Sequence, residues 1–474
     1  MTDLKQTLGT WQLLAFGVAG VVGASWIYTN SAFFDLYGAG GVLIGLAIGV
    51  ALAACIASAY SRFTAVFPRA GGEVVFAYAT LGRGASFLTG WMLLGAYVSS
   101  LAFYVTAFGY LLGNFFPWMN TIPLYTINDE TVYLPVLAVG VVLTLVYFTL
   151  NWFSVKIGAQ VQLLMFLAII AGGLALAVTG FSAGSPGNLI PAFGPEAAPF
   201  ADTMRFVIPG MTFLAGFGLV AVLAEDARIA PAKTGRLVVL TVLLAGGFYL
   251  LVLLATAWVL PWQEVAAMDL GTVDAFRAAG FPALGAVAYL IAVLGLLTSF
   301  LGLFVACSRV MVAMGRAGLL PSALAAVHPR RGTPHIALVF VTVITLALGW
   351  LGPGAVTWFL DTGGIYLGVV WIAVTLAYYR APRRYPQVRG ATPWWENALP
   401  GIGAAGALFV IVLALLPGTG SSLVWPAEYI ILLAWLALGF VLYLGGARKP
   451  DAEALQSLTG STAAGADRRG GHEG

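Results

Sequence analysis

The sequence predicts an all-α membrane protein of about twelve transmembrane helices, built as a five-plus-five inverted repeat in which helices 1 and 6 are broken. Three observations predict it. The 474 residues are 60% hydrophobic and 9% charged, with a mean hydropathy of +0.94, and so few charges do not cover a water-facing surface. Apolar runs of roughly 18 to 25 residues recur along nearly the whole chain and leave no room for a large soluble domain. The first and sixth of these runs are interrupted by small residues in corresponding places, as an inverted repeat requires.

A polar N-terminus, residues 1–12, carries no small-residue cleavage site after a compact apolar region, so the first span is expected to stay in the mature chain. Turn signals then divide the chain into spans at 13–36, 40–66, 85–113, 132–151 and 156–181, which form the first repeat (13–181). Spans at 203–224, 236–260, 283–314, 335–351 and 355–379 form the second (203–379), and a final pair at 399–416 and 425–446 fills 399–446. The eighth is long enough to tilt or to run past the bilayer. From 449 to 474 the chain becomes a Gly/Ala/Ser/Thr-rich tail with little to bury, expected to be disordered and cytoplasmic.

Charge placement tests this count independently. With the N-terminus in the cytoplasm, all of the 22 Lys and Arg residues except Arg205 and Arg277 fall on the inner side. Asp129, Glu130, Glu196, Asp202, Glu264, Asp269 and Asp274 fall outside. The bias implies an even number of spans in a multi-pass cell-membrane protein with both termini cytoplasmic. It also accounts for "RAPRRYPQVR" as an orientation signal, so no nucleic-acid partner is expected.

The first break is "FGVAGVVGASWIY", Phe16 to Tyr28. Gly17, Gly20 and Gly23 recur at every third position and are followed by Ala24 and Ser25. Each glycine weakens a helix by roughly 1 kcal/mol relative to alanine. Irregular backbone at membrane depth survives only where it lines a cavity or is buried in protein. The same residues equally suit close helix packing. The second break, "PGMTFLAGFGLVAVLAED", contains Pro209, Gly210, Gly216 and Gly218 five spans later, a coincidence that favours a solute site over packing alone. Cys55 and Cys307 lie in apolar runs as packing residues, and His328, His335 and His472 fall in loops or the tail. No metal or redox cofactor is therefore expected. Nothing in the pattern converges as an enzyme's acid, base and nucleophile, or repeats as a channel filter.

These motifs resemble those of the amino acid, polyamine and organocation (APC) superfamily of transporters. "GVAGVVGASWIY" is similar to that family's Gly-rich stretch ending G-S-G-I-F, with Gly23, Ala24 and Ser25 over G-S-G. "FPRAGGEVVFAYATLGRGASFLTGW" is similar to F-P-R-x-G-G-x-Y-x-Y and the G-W that opens the third span, here Gly90 and Trp91. "FLAGFGLVAVLAEDAR" places Glu225 and Asp226 on the family's acidic pair, and "CSRVMVAMGRAGLLPSALAAVHPRRGTPHIAL" resembles its S-R-x-x-x-x-x-x-R-x-G-x-L-P run followed by G-T-P. The resemblance implies a secondary active transporter of an amino acid or related amine, working by alternating access. A non-transporting sensor or scaffold on the same fold is the alternative. The chain departs from the pattern at Gly218, where many members carry a carboxylate, and at Arg62, Ser25 and Ala168. Substrate and coupling ion stay open on that account.

Within this frame the outer half of helix 1 begins near Ser25. The free N–H groups of Val22, Gly23, Ala24 and Ser25 then face the break and suit a carboxylate. The outer half of helix 6 ends at Leu214, Ala215 and Gly216, whose free carbonyls suit an ammonium group, with Gly218 close behind. Trp26, Phe213, Tyr97 and Tyr104 are candidate aromatic walls, with helix packing as their competing role. Asp361, read as the one carboxylate clearly inside a span, is a candidate for a cationic substrate or a proton. Gly20, Thr298 and Ser299 are candidates for sodium, against the alternative that the hydroxyls bond to their own helix. Glu225 and Asp226, with Lys156 or Arg309, form a candidate inner gate or a solvated interfacial pair. The expected partners are a small amino acid or amine and the lipid bilayer, with a proton or sodium as coupling ion and no other cofactor; the sequence does not indicate an oligomeric state.

Overall fold

A computed structural model describes residues 6–459 apart from 24, 114, 129, 154, 196–197, 391 and 417–421. Helix α1 (Thr10–Val21) stops inside the glycine-rich stretch. Val22 leaves helical geometry at φ −71° and ψ 70°, and the Gly23 N–H turns back to the Val21 carbonyl at 2.7 Å. The chain restarts as α2 (Ser25–Val66), a 42-residue run that bends at Gly38. A φ of 68° there suits glycine alone, and an added Cβ would stand 2.9 Å from the Ala192 carbonyl. The outer half of the first span therefore joins the second at a kink instead of the loop expected at 37–39.

The FPRAGG turn leads into a short helix, α3 (Glu73–Leu81), and then α4 (Arg83–Gly113), α5 (Leu134–Phe153) and α6 (Val155–Ala183). Between α4 and α5 the chain forms a small antiparallel hairpin, β1 (Pro123–Ile127) and β2 (Glu130–Tyr133), which the hydropathy pattern did not foretell. The sixth span is broken: α7 (Pro199–Thr212) gives way to a 3-10 turn at Ala215–Gly218 before α8 (Leu219–Val222) resumes. Proline at the first helical position starts α9 (Pro231–Val259), where its missing N–H costs nothing. Two short helices, α10 (Trp262–Ala266) and α11 (Gly271–Ala278), fill the next connection. The long α12 (Pro282–Arg316) follows, then α13 (His335–Gly349), α14 (Val356–Arg380), α15 (Trp394–Leu415) and α16 (Ala427–Leu444).

Among the described residues ten helices are long and apolar enough to cross a membrane; Thr10–Val21 and His335–Gly349 are shorter apolar helices. The molecule is a mostly helical, multi-pass membrane protein. The tail expected to be disordered from 449 instead begins with α17 (Asp451–Thr459), whose Ala454 and Leu458 are buried against α3 and α12. The rest of the tail, from 460, lies outside the described residues.

Helix α1 is buried from Leu13 to Val21 and is surrounded by α6, α9 and α12. Helices α15 and α16 lie at the periphery and leave Phe440 and Ile430 exposed to lipid. Two aromatic pairs tie α16 to α4: Phe87 meets Tyr443 with centroids 4.5 Å apart, and the Trp91 and Trp435 rings stack 4.4 Å apart, each indole N–H donating to the other's backbone carbonyl, at 2.8 and 3.1 Å. Lipid supplies no hydrophobic drive between helices, so close approach of small residues carries much of the packing. Gly45 shows how tight this is. A Cβ there would stand 2.7 Å from the Thr203 carbonyl and 2.9 Å from Phe206 Cβ on α7. Gly45→Ala is expected to destabilise the purified protein by about 1–3 kcal/mol through overpacking. Gly84→Ala, where the added Cβ meets nothing within 4 Å, leaves the thermal unfolding temperature in detergent unchanged or higher.

Candidate functional site

The two interruptions meet at glycine. A Cβ on Gly216 would lie 2.5 Å from the Gly20 carbonyl and 3.0 Å from the Val21 amide, so the turn after α7 rests directly on the end of α1. A cavity opens beside this contact. Gly20, Val21 and Gly23 line it from the first break and Phe213 and Gly216 from the second. Tyr97, Ser100 and Tyr104 face it from α4, spaced to share one side of that helix. Tyr249 of α9 closes another wall and donates to the freed Val21 carbonyl. The remaining surface is apolar, from Phe103, Leu303, Phe359 and Leu367, with Gly363 of α14 between them.

Of the residues the sequence proposed, the structure gathers Gly20, Gly23, Tyr97, Tyr104, Phe213 and Gly216 at this cavity. It does not gather Val22, Trp26, Leu214 or Gly218, for reasons visible in the packing. Trp26 is 1% exposed and packs edge-on against Phe248 and Tyr249, with ring centroids 5.9 and 4.7 Å away, so it supports the wall from behind. Val22 and Leu214 point into the core. Gly218 faces Glu73, Tyr60 and Tyr97. Ala24 lies outside the described residues, as do the side chains of Ser25 and Ala215. Tyr249 was missed because nothing in its apolar run marks which side of the helix meets the break; Ser100 was legible from its spacing to Tyr97 and Tyr104.

The two hydroxyls proposed for sodium divide. Thr298 donates to the Gly295 carbonyl of its own helix at 3.0 Å, while Ser299 crosses to the Ala19 carbonyl of α1, also at 3.0 Å. Asp361 does not line the cavity, although Gly363 two residues on does. Nor is it the only carboxylate at depth. Glu428, buried in α16 and accepting from the Val424 N–H at 2.6 Å, lies beside it. No cluster of three or more His, Cys, Asp or Glu suited to a metal occurs among the described residues.

The acidic pair at the end of the sixth span is buried, so the solvated reading of it is wrong. Arg309 grips Asp226 with two N–H groups, at 3.1 and 3.2 Å, with both side chains at most 2% exposed. Glu225 takes Arg316 at 2.9 Å, a partner absent from the sequence reading, and also accepts the Ala70 N–H at 3.1 Å. Arg309 and Arg316 stand seven residues apart on one face of α12, so one helix brings a guanidinium to each acid. The Lys156 side chain lies outside the described residues. Above these pairs the N-terminal strand is stitched on: the Thr7 and Leu8 N–H groups donate to the Asp226 carbonyl at 2.9 Å, and Arg228 N–H donates to Leu8 at 2.8 Å.

Broken helices meeting at a small polar-and-apolar cavity are the arrangement of a membrane transporter, and the family and relatives of the chain are transporters, not enzymes. The chain belongs to the amino acid permease family, whose profile matches residues 8–440. It is 26% identical over 464 residues to the branched-chain amino acid permease BcaP of Bacillus subtilis (strain 168), covering 94% of each chain. It is also 26% identical over 469 residues to the chloroplastic cationic amino acid transporter 6 of Arabidopsis thaliana, covering 95% of this chain and 78% of that one. Cationic amino acid transporter 4 of Mus musculus is 26% identical over 401 residues, covering 81% and 61%.

Removing one partner of a buried ion pair strands the other charge. Asp226→Asn is expected to lower stability by about 3–5 kcal/mol, read as a drop in thermal unfolding temperature. Replacing Asp226 and Arg309 together by Leu and Met recovers most of that loss.

Proposed function

We propose that this protein moves an amino acid across the cell membrane by alternating access, with both termini in the cytoplasm and the broken helices as the gripping surface. The observation that carries the reading is the contact of Gly216 with Gly20 beside the cavity. The N-terminal end of α2 presents a partial positive charge to a substrate carboxylate. The C-terminal carbonyls of α7 face the ammonium group. The correspondence between the break in α1–α2 and that in α7–α8 supports a five-plus-five inverted repeat, α1 to α6 against α7 to α14, within twelve membrane crossings.

The lining also speaks to substrate. Among the described residues its side chains are aromatic, aliphatic or hydroxyl-bearing, with no Asp, Glu, Lys or Arg. A cationic side chain would find no countercharge there, whereas a branched aliphatic one buries against Phe213, Phe359, Leu303 and Leu367. Neutral, apolar amino acids are the class favoured. The shared family argues for flux, and against a sensor that binds without cycling. Ser299, which already crosses to α1, and Gly20 lie near the place a sodium ion would take, while Thr298 is turned to its own helix.

Counterflow of labelled leucine, isoleucine and lysine into proteoliposomes tests this. Leucine and isoleucine are expected to exchange and lysine to lag by at least about tenfold, the worth of roughly 1.4 kcal/mol. Saturable binding without exchange of any of them would leave the sensor reading instead. Gly216→Val, which drives two methyl groups toward the Gly20 carbonyl, is expected to abolish exchange while the protein stays monodisperse in detergent.

A further inference from the structure

Glu73, the first residue of α3, lies between the second and third spans and has no part in gripping substrate. It is 1% exposed. A Cβ added at Gly218 would stand 2.6 Å from Glu73 Oε1, 3.5 Å from the Tyr60 ring and 3.6 Å from the Tyr97 hydroxyl. The carboxyl thus fills the space of the side chain that Gly218 lacks, two residues along from Gly216. The Tyr60 hydroxyl donates to it. Glu73 Oε2 and the Tyr97 hydroxyl have no hydrogen-bond partner, and Tyr97 also lines the cavity. Two buried oxygen atoms without partners, one on Glu73 and one on Tyr97, therefore belong to side chains that both border Gly218.

The titratable groups turned toward Glu73 are Tyr60 from α2, Tyr97 from α4 and, by way of Tyr97, Cys307 from α12. The others nearby are engaged elsewhere. Asp451 of α17 accepts from Tyr78 at 2.9 Å, Tyr378 of α14 donates to Asn397 at 2.6 Å, and Arg316 of α12 holds Glu225. Among the described residues no Arg or Lys acts on Glu73. Burial without a countercharge penalises the ionised form and lifts its pKa from 4.5 to about 8.

The start of α3 is docked on the inner half of the broken sixth helix. Gly71 N–H donates to the Val222 carbonyl at 3.2 Å, and a Cβ on Gly72 would stand 3.0 Å from the Ala221 carbonyl carbon. Any opening of the inner side that moves α8 uncovers Glu73.

We propose that Glu73 is the proton-binding residue of this transporter, loaded from the cavity past Tyr97 and unloaded to the cytoplasm when α8 parts from α3. The inference rests on the transport reading above. In the sealed state one proton from outer water joins the carboxylate to form the neutral acid. When α8 moves, water reaches the carboxyl, the O–H bond breaks heterolytically, and the proton passes to cytoplasmic water while the carboxylate remains. A sodium ion does not suit the place: one carboxyl and two phenols fall short of the six or so oxygens a hard cation of this kind gathers, and the Gly218 backbone closes the gap.

The test uses full-length protein in proteoliposomes with labelled leucine, at zero membrane potential and with the interior one pH unit more alkaline than the exterior. One proton per substrate supports about tenfold accumulation in the wild type under that gradient, abolished by a protonophore. Glu73→Gln, which copies the shape of the neutral acid, is expected to keep counterflow and lose accumulation. Wild-type accumulation that ignores pH and follows sodium, or full accumulation by Glu73→Gln, overturns the assignment while counterflow upholds transport. Absence of wild-type counterflow with every labelled amino acid overturns both. A measurement on the wild type alone guards against a misfolded variant: a hydrophobic carbodiimide, which attacks protonated carboxyls, is expected to label Glu73 at pH 7, to label it less as pH rises through about 8, and to block acid-driven uptake. Label on Asp361 or Glu428 instead, with uptake blocked, refutes the proposal.

Discussion

A peptide group at membrane depth has no water to satisfy it, and this architecture turns on that constraint. Where α1 ends at Val21 and α7 ends at Thr212, the helical ladder is given up, and each freed group needs a partner in the protein or in a bound solute. Tyr249 takes the Val21 carbonyl and Ser299 the Ala19 carbonyl. What these two side chains leave unclaimed is the grip available to substrate. The surrounding helices hold the breaks open by packing through glycine, so the irregular backbone is kept in place from all sides without being filled.

The buried ion pairs at the end of the sixth span follow a different rule. Two arginines of α12 hold Asp226 and Glu225 out of water, an arrangement in which desolvation nearly cancels attraction. Such pairs contribute little net stability when made and cost much when half broken. In the transport cycle proposed above, each ion would recover its hydration on separating, so that little free energy would divide a closed form from an open one.

The breaks were legible because glycine at Gly17, Gly20 and Gly23, and again at Gly216 and Gly218, contradicts an otherwise helical pattern. The multi-pass helical character was legible from hydropathy, and the cavity-lining Tyr97, Tyr104 and Phe213 from their aromatic character. Other features depend on three-dimensional pairings that local pattern does not encode. Arg316 and Arg309 are equivalent by spacing, and only the fold chooses which acid each meets. Glu428 read as the start of a final span, and packing brings it to Asp361. Trp26 read as a pocket residue because it follows the break, whereas helix geometry turns it toward Phe248. Helix α17 escaped notice since Ala454 and Leu458 are too few to mark a segment without the surface that receives them.

The bend at Gly38 carries a mechanical corollary. With no slack loop between the outer part of the first span and the second, the two rods of α2 form a crank: tilting one is transmitted to the other through a single residue. The second rod packs along α7 and α9. In the transport cycle proposed above, motion begun at the grip would pass to α7 and α9 through a joint one residue long, which would set the gearing.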